Sequence, residues 1–140
     1  MELGEDYFAI GNDIIGAAFD VRNNVGRGMR EKFYESALAY ELRKRGHDVK
    51  CQVTVPAVYC GEVIDDSYLC DMVVDDKVII EVKAVLMMKE SESRQLFTYL
   101  KLSGFKLGYL INFGAKEFTT GKFNDTFPYK KGIYRLIHTK

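Results

Sequence analysis

The sequence predicts a single α/β domain, residues 1–140, with a mixed central sheet. Its 140 residues and 47% hydrophobic content suit one domain with a buried core. Segments with helical spacing precede and interrupt a series of short β-branched runs. One helical segment, residues 88–103, lies between two apolar runs, as expected for a crossover joining parallel strands. The sheet should therefore combine parallel pairs with antiparallel ones.

Two helices are expected before the first strand. Residues 7–24 carry apolar side chains at helical intervals, and the glycines of residues 26–28 end that helix. The second helix should run from about Met29 to Arg45. Stepping back one turn along its inward stripe leads to Glu31, which we expect on the buried face at the helix start. The other members of that stripe are Tyr34, Ala37, Leu38 and Leu42.

Strand-like runs fill much of the remaining chain. An alternating β-branched run occupies residues 49–59, where Pro56 favours an edge strand or a bulge. The nearly continuous apolar run at 106–114 is typical of a strand buried on both faces. The polar stretch at 115–132 is expected to be a loop. Further strands are expected at about residues 62–64, 68–74, 77–85 and 132–138.

The third helix, residues 88–103, places polar groups beside its apolar side. Gln95 lies four residues before Tyr99, so the two share one helix face. Each has a simple structural interpretation, since Gln95 can cap the edge of a core and Tyr99 can be part of it. Gly104 should end this helix.

Three charges interrupt two otherwise apolar strands, although Asp, Glu and Lys are depleted in strand interiors. Glu81 and Lys83 are two residues apart and share a face. A three-residue loop at 75–77 would pair Asp71 with Glu81, whereas a two-residue loop would pair Asp71 with Ile80 on the opposite face. The first register, which we predict, opposes two carboxylates and calls for a cation between them.

A hard divalent cation, Mg²⁺ or Mn²⁺, is the usual partner of a few carboxylate oxygens. Lys83 would then lie beside the ion, where it could orient a water or offset charge on a phosphate oxygen. The competing interpretation is that Glu81 and Lys83 are exposed residues of an amphipathic edge strand.

Composition adds weaker constraints. The formal net charge is zero, but residues 1–93 carry a net −7 and residues 94–140 a net +7. By itself this asymmetry favours opposite solvated faces over a nucleic-acid surface. Cys51, Cys60 and Cys70 form no CxxC unit, which argues against zinc and for a reducing compartment. Without a signal-like segment or a long apolar run, we expect a cytoplasmic protein that does not associate with membranes.

Several of these residues together resemble a known family. Gly28, Glu31 and Tyr34 match a GxxExxY motif, Asp71 with Glu81-Val82-Lys83 matches a D…(D/E)xK signature, and Gln95-Leu-Phe-Thr-Tyr99 matches a QxxxY motif. In this order the motifs resemble the GxxExxY family of the PD-(D/E)XK nuclease superfamily, in its RecB-like branch. The segment Leu-Ile-Asn-Phe-Gly at 110–114 is also typical of that family. Cys70 replaces the proline of the PD half, and Arg27 stands where many members have proline.

The resemblance implies a three-layer, restriction-endonuclease-like αβββαβ core. It further implies that Asp71, Glu81 and the Val82 carbonyl bind Mg²⁺ or Mn²⁺, with Glu31 as an auxiliary acid. Lys83 would stabilise charge or position water, and Gln95 and Tyr99 would support the site or contact phosphate.

Two functions remain open at this point. The first is a Mg²⁺-dependent nuclease acting on DNA, with RNA less favoured. The second is a non-catalytic nucleic-acid-binding or protein-interaction module on a nuclease fold, since a fold does not settle activity. A homodimer is compatible with either function. We expect phosphate contacts from Arg94 and Lys101, which lie seven residues apart on one helix face, and from Lys106.

Overall fold

A computed structural model describes residues 3–122 and 130–139. Three helices flank a six-stranded sheet, and a separate two-stranded hairpin lies outside it. The helices are α1 (Glu5–Val25), α2 (Glu31–Lys44) and α3 (Glu90–Ser103). The strands are β1 (Val49–Thr54), β2 (Ala57–Tyr59), β3 (Glu62–Asp65), β4 (Leu69–Val74), β5 (Val78–Lys83), β6 (Leu107–Asn112), β7 (Thr119–Lys122) and β8 (Gly132–Ile137).

The central sheet is mixed, as predicted. Its strand order is β1-β4-β5-β6-β8-β7. The β5–β6 and β7–β8 pairs are parallel and the others are antiparallel. Helix α3 forms the crossover between β5 and β6, which parallel neighbours require. The predicted strand at 106–114 is confirmed as β6, in which every residue is buried.

Two apolar clusters cover the two faces of this sheet and define three layers. The first joins α1 and α2 to the side chains of Val78, Ile80 and Val82 in β5. The second joins Leu96 and Leu100 of α3 to the opposite face. This arrangement agrees with a restriction-endonuclease-like core. No helix in the described ranges combines the length and apolar character that a membrane span needs.

Several predicted boundaries were wrong, each for a local reason. The run at 49–59 is broken at Val55 and Pro56 into β1 and β2, because proline cannot donate to a ladder. The predicted loop at 115–132 contains β7, whose residues Thr119–Lys122 are mostly exposed and so show no apolar alternation. The part of that stretch at 123–129 lies outside the described residues.

The helix starts also differ from prediction. Helix α2 begins at Glu31, whose side chain is exposed instead of buried. Helical side chains lean toward the N-terminus, so a side chain on the first residue extends past the packed turns. Helix α3 begins at Glu90 and ends at Gly104, which adopts the left-handed conformation (φ 83°) that glycine accepts without penalty.

A histidine joins three elements at the β4–β5 turn. The His47 Nε2 lies 2.7 Å from the Asp13 carboxylate of α1, and its Nδ1 lies 2.6 Å from the Asp75 carboxylate. Asp75 also accepts a hydrogen bond from the backbone of Asp48. Partial burial opposes protonation of the ring, but the two carboxylates outweigh it and raise the pKa of His47. The charged imidazole therefore helps to fix this turn against α1.

We predict that His47 stabilises the fold more at mildly acidic than at basic pH. Because the folded pKa lies above the unfolded value of about 6.5, the stabilisation is present below about pH 6.5 and disappears as pH rises through the folded pKa. Urea unfolding of His47→Gln should therefore show a larger loss at pH 5.5 than at pH 8.5. The control is His138→Gln, at the other histidine, which should keep the wild-type pH dependence. An equal loss for His47→Gln at both pH values would contradict this role.

Candidate active site

The β4–β5 hairpin has the register that opposes Asp71 and Glu81. Its pairs are Val74 with Val78, Val73 with Ile79 and Met72 with Ile80, which leaves a three-residue turn at 75–77. The next positions outward are Asp71 and Glu81. Asp75 and Asp76 both adopt φ near 54°, a left-handed conformation that aspartate tolerates better than most residues. The predicted three-residue loop is therefore confirmed.

The two acidic residues interlock through each other's backbone. The Asp71 N–H donates to Glu81 Oε1 at 3.2 Å, and the Val82 N–H donates to Asp71 Oδ2 at 2.8 Å. The Asp71 carboxylate thus accepts from a β5 backbone donor just beyond the last regular pair of the hairpin. This reciprocal arrangement holds both carboxyl groups beside the end of the ladder.

An irregularity in β1 and β4 explains why Asp71 can reach the β5 backbone. Met72 belongs to the cluster beneath α1 and α2, whereas Cys70 belongs to the cluster beneath α3. Strict alternation would put both on one face, so the alternation reverses at Asp71. In β1 it reverses at Gln52, whose φ is 56°. Gln52 and Asp71 occupy facing positions, because Cys51 pairs with Met72 and Val53 pairs with Cys70.

Glu81 is a buried acid whose pKa is raised. It is only 9% exposed. Burial, followed by the nearby negative charge of Asp71, raises the pKa of Glu81 to about 7, while hydrogen bonds from the Asp71 backbone and Tyr68 oppose the shift. A buried carboxyl group beside a second carboxylate is a common feature of functional sites.

Lys83 lies on the Glu81 face of β5, as predicted. Its ammonium donates to Glu92 Oε2 of α3 at 3.0 Å. Partial burial lowers its pKa, but Glu92 and then Glu31 and Glu81 outweigh that effect, so the pKa of Lys83 is raised. The Lys83 ammonium is therefore charged, and the orientation of its side chain depends on the first turns of α3.

Sequence reasoning missed a partly buried contact that leads from Glu35 to Asp71. The Gln52 amide donates to Glu35 Oε1 at 2.8 Å and to Asp71 Oδ1 at 3.3 Å. Glu35 is 5% exposed and forms an ion pair with Lys32. A signal was available, since Glu35 lies four residues before Ala39 and seven before Leu42, both buried on the same helix face. No pattern in the sequence indicated the left-handed backbone of Gln52.

Tyr68 connects the predicted Tyr99 to the buried acid. The two rings stack with centroids 3.8 Å apart, and the Tyr99 hydroxyl donates to Asp65 at 2.9 Å. Burial, together with the Glu81 carboxylate, raises the pKa of Tyr68 and keeps its hydroxyl protonated. Tyr99 therefore supports the site through Tyr68. Sequence reasoning assigned no role to Tyr68.

The other predicted residues are distributed over α2, α3 and the turn after α3. Glu31 is exposed but close enough to affect the pKa of Lys83. Gln95 is exposed on α3, one turn before Tyr99. Arg94 forms an ion pair with Glu90 at 3.6 Å, and the Lys101 ammonium lies 5.4 Å from the centroid of the Phe97 ring. The remaining predicted phosphate contact, Lys106, is half-buried.

Asn112 fastens the segment that follows Lys83 and is 2% exposed. Its amide donates to the Val85 carbonyl at 2.9 Å, and its Oδ1 accepts from the Val85 N–H at 3.0 Å. The same oxygen accepts from the Gly114 N–H at 3.1 Å. A side chain at Gly114 would collide with the Val85 backbone. The end of β5 is thus tied to the end of β6.

The carboxylate oxygens at this site suit a hard cation, but they are few. Within the described ranges, no three His, Cys, Asp or Glu side chains converge as a metal-binding group. Asp71 and Glu81 supply carboxylate oxygens, and a buried acid with a raised pKa is a group whose ionisation a cation would favour. Mg²⁺ is commonly held by one or two carboxylates and several waters. The residues therefore fit such an ion.

The comparison with known families agrees with this geometry. The model of the PD-(D/E)XK nuclease superfamily matches residues 9–122, which include most of α1, all of α2, the charged hairpin and α3. No curated protein and no solved structure matches the chain. Nucleases of this superfamily usually use divalent metals, and membership implies a nucleic-acid substrate. Because the matched region covers most of the chain, the chain belongs to the PD-(D/E)XK nuclease superfamily.

Proposed function

We propose that this protein is a Mg²⁺- or Mn²⁺-dependent nuclease that hydrolyses phosphodiester bonds, with DNA as the preferred polymer. The observation that carries the proposal is the interlocked Asp71–Glu81 pair, with Lys83 following on the same face of β5. The GxxExxY and QxxxY motifs support a place in the GxxExxY family and the RecB-like branch.

In this proposal Asp71 and Glu81 hold the cation, together with the Val82 carbonyl. The ion, when bound, supplies Lewis acidity that activates a water and stabilises charge on the phosphate. Asp71 is kept in place by the Val82 N–H and by Gln52, and Glu81 by the Asp71 N–H. The chain therefore orients both carboxyl groups before any ligand arrives, which reduces the reorganisation that binding requires.

Lys83 provides positive charge to the reacting phosphate. Its raised pKa keeps the ammonium protonated at neutral pH. Glu92 orients it, and Glu31 adds negative charge nearby, as proposed for an auxiliary acid. A fixed cation beside the position where charge develops stabilises the transition state more than the ground state. In this proposal Gln95, which is exposed on α3 one turn after Glu92, contacts the phosphate backbone.

We predict that Lys83→Ala reduces cleavage about 10²–10³-fold while leaving cation binding largely intact, because it removes charge stabilisation and no metal ligand. Single-turnover cleavage of single- and double-stranded DNA and RNA should be measured with Mg²⁺, Mn²⁺ and EDTA. Calorimetry with Mn²⁺ should show weaker binding by Asp71→Asn and Glu81→Gln. The control is Lys77→Ala, which removes a lysine of the same hairpin that pairs with Asp6.

Two results would revise the assignment. A wild-type rate in Lys83→Ala would exclude the proposed role of Lys83 and leave the enzyme class standing. Binding of nucleic acid by the wild type without cation-dependent cleavage would make the chain a non-catalytic binding module.

A second prediction concerns the unliganded carboxylate pair. Glu81→Gln removes the repulsion with Asp71 and the cost of burying the charge, while its amide oxygen can still accept from the Asp71 N–H. We expect it to raise the melting temperature in EDTA and to abolish the increase that Mg²⁺ or Mn²⁺ causes in the wild type. Glu62→Gln, at an exposed glutamate of β3, is the control. An undiminished cation-induced increase in Glu81→Gln would remove Glu81 from the ligand set.

A third prediction concerns the basic residues of α3 and the turn after it. If Arg94, Lys101 and Lys106 contact phosphates, neutralising Arg94 and Lys101 should weaken binding to duplex DNA. The slope of log K against log salt should become shallower by about 0.9 for each phosphate that is no longer neutralised. Fluorescence anisotropy in Ca²⁺ or EDTA would measure this without turnover. The matched control, Lys50→Gln with Lys77→Gln, removes two surface lysines elsewhere, one exposed and one partly exposed, and equal slopes in both double variants would refute the assignment.

A further inference from the structure

A second polar cavity lies on the other side of the sheet from Glu81 and Lys83. It has a volume of about 240 Å³ and opens between α1 and the strands β6, β8 and β7. Arg135, Lys122, Thr120 and Tyr109 line its polar side. Ile133, two residues before Arg135 on β8, packs in the cluster beneath α1 and α2, so Arg135 faces that same layer. This cavity is therefore separate from the Asp71–Glu81 centre.

Two cationic residues occupy neighbouring strand positions at this cavity. Lys122 of β7 pairs with Arg135 of β8 in the parallel register, so the two side chains occupy neighbouring positions on one face. Like charges directly opposite each other destabilise a sheet. Among residues 3–122 and 130–139, neither cation forms an ion pair with an acidic side chain. A bound anion would offset this repulsion.

The Tyr109 hydroxyl completes the polar side. Tyr109 is 3% exposed and pairs with Arg135 from the other neighbouring strand, β6. Within the described part of the chain its hydroxyl has no hydrogen-bond partner, and Tyr109 lines the cavity. Burial, opposed by the Arg135 charge, raises the pKa of Tyr109, so the hydroxyl stays protonated and can donate.

The helix above leaves room for this hydroxyl. A Cβ at Gly11 of α1 would collide with the Tyr109 oxygen. Glycine is a poor helix former, costing roughly 1 kcal/mol relative to alanine in a helix interior. At position 11 its lack of a side chain therefore serves the close approach of the tyrosine. The cavity depends on this spacing between α1 and β6.

We propose that this cavity is a binding site for a phosphate dianion, either free or carried by a small phosphate monoester. A guanidinium, an ammonium and two hydroxyls supply several donors and two positive charges to one ligand. That set matches the charge and the many acceptor oxygens of phosphate better than a single carboxylate. The volume lies below the range of about 300–1,000 Å³ that accommodates drug-sized ligands, which favours a small anion.

The test is calorimetry with inorganic phosphate, in EDTA and at constant ionic strength. The wild type should bind one equivalent saturably. Arg135→Gln should weaken binding at least about tenfold, as loss of a charged hydrogen bond implies, and Tyr109→Phe about three- to tenfold. Lys50→Gln removes one positive charge from an exposed position of β1, outside this cavity, and should bind as the wild type does.

A second measurement keeps the test independent of any effect on folding. In amide NMR titrations, phosphate should shift signals of Gly11, Gly121, Lys122 and Arg135, and Lys122→Gln, at an exposed position, should weaken those shifts. Ribose 5-phosphate should be titrated alongside. Tighter binding of the ester identifies a carried phosphate, and tighter binding of the free ion identifies inorganic phosphate. Non-saturable binding, or equal weakening in Arg135→Gln and Lys50→Gln, would overturn the proposal.

Discussion

The register of one hairpin determines the chemistry that this chain can perform. A three-residue turn between β4 and β5 sets Asp71 opposite Glu81. A shift of one residue would move one of the carboxyl groups to the other face of the sheet. The turn is itself fixed from outside, since His47 joins Asp75 to Asp13 of α1. Contacts on one side of the protein therefore maintain the alignment of two acids at the far end of the same strands.

Holding these two acids together costs free energy, and neighbouring polar groups offset part of that cost. Glu81 is buried beside a second acid. Hydrogen bonds partly offset the cost of this burial, and they come from two backbone N–H groups, the Tyr68 hydroxyl and the Gln52 amide. Such an arrangement is less stable without a cation than the same hairpin with neutral side chains would be. The fold tolerates it because the rest of β5 is buried between two apolar clusters. Val78, Ile79 and Ile80 thus supply stability, while the last residues of the strand carry the charges of the proposed site.

Sequence patterns predicted the sheet and the three helices, because these rest on local periodicity. The three-residue loop was predicted because only that register opposes the two charged strands' carboxylates. Sequence patterns failed where tertiary contacts decide. Glu31 was expected in the core, yet it is exposed and Glu35 is buried in its place, since only packing against the sheet shows where the helix stripe ends. The side-chain reversal at Gln52 and Asp71 could not be predicted either. Glu92 and Tyr68 were missed because their partners, Lys83 and Tyr99, come from other elements.

Helix α3 contacts the candidate site at two places. It is attached near its start, where Glu92 holds Lys83, and again two turns later, where Tyr99 stacks on the Tyr68 that reaches Glu81. A rigid displacement of this helix would consequently move the lysine and the environment of the buried acid in a concerted way. Any ligand that lies along α3 is thereby mechanically coupled to the two charged residues of β5, although it need not touch either of them.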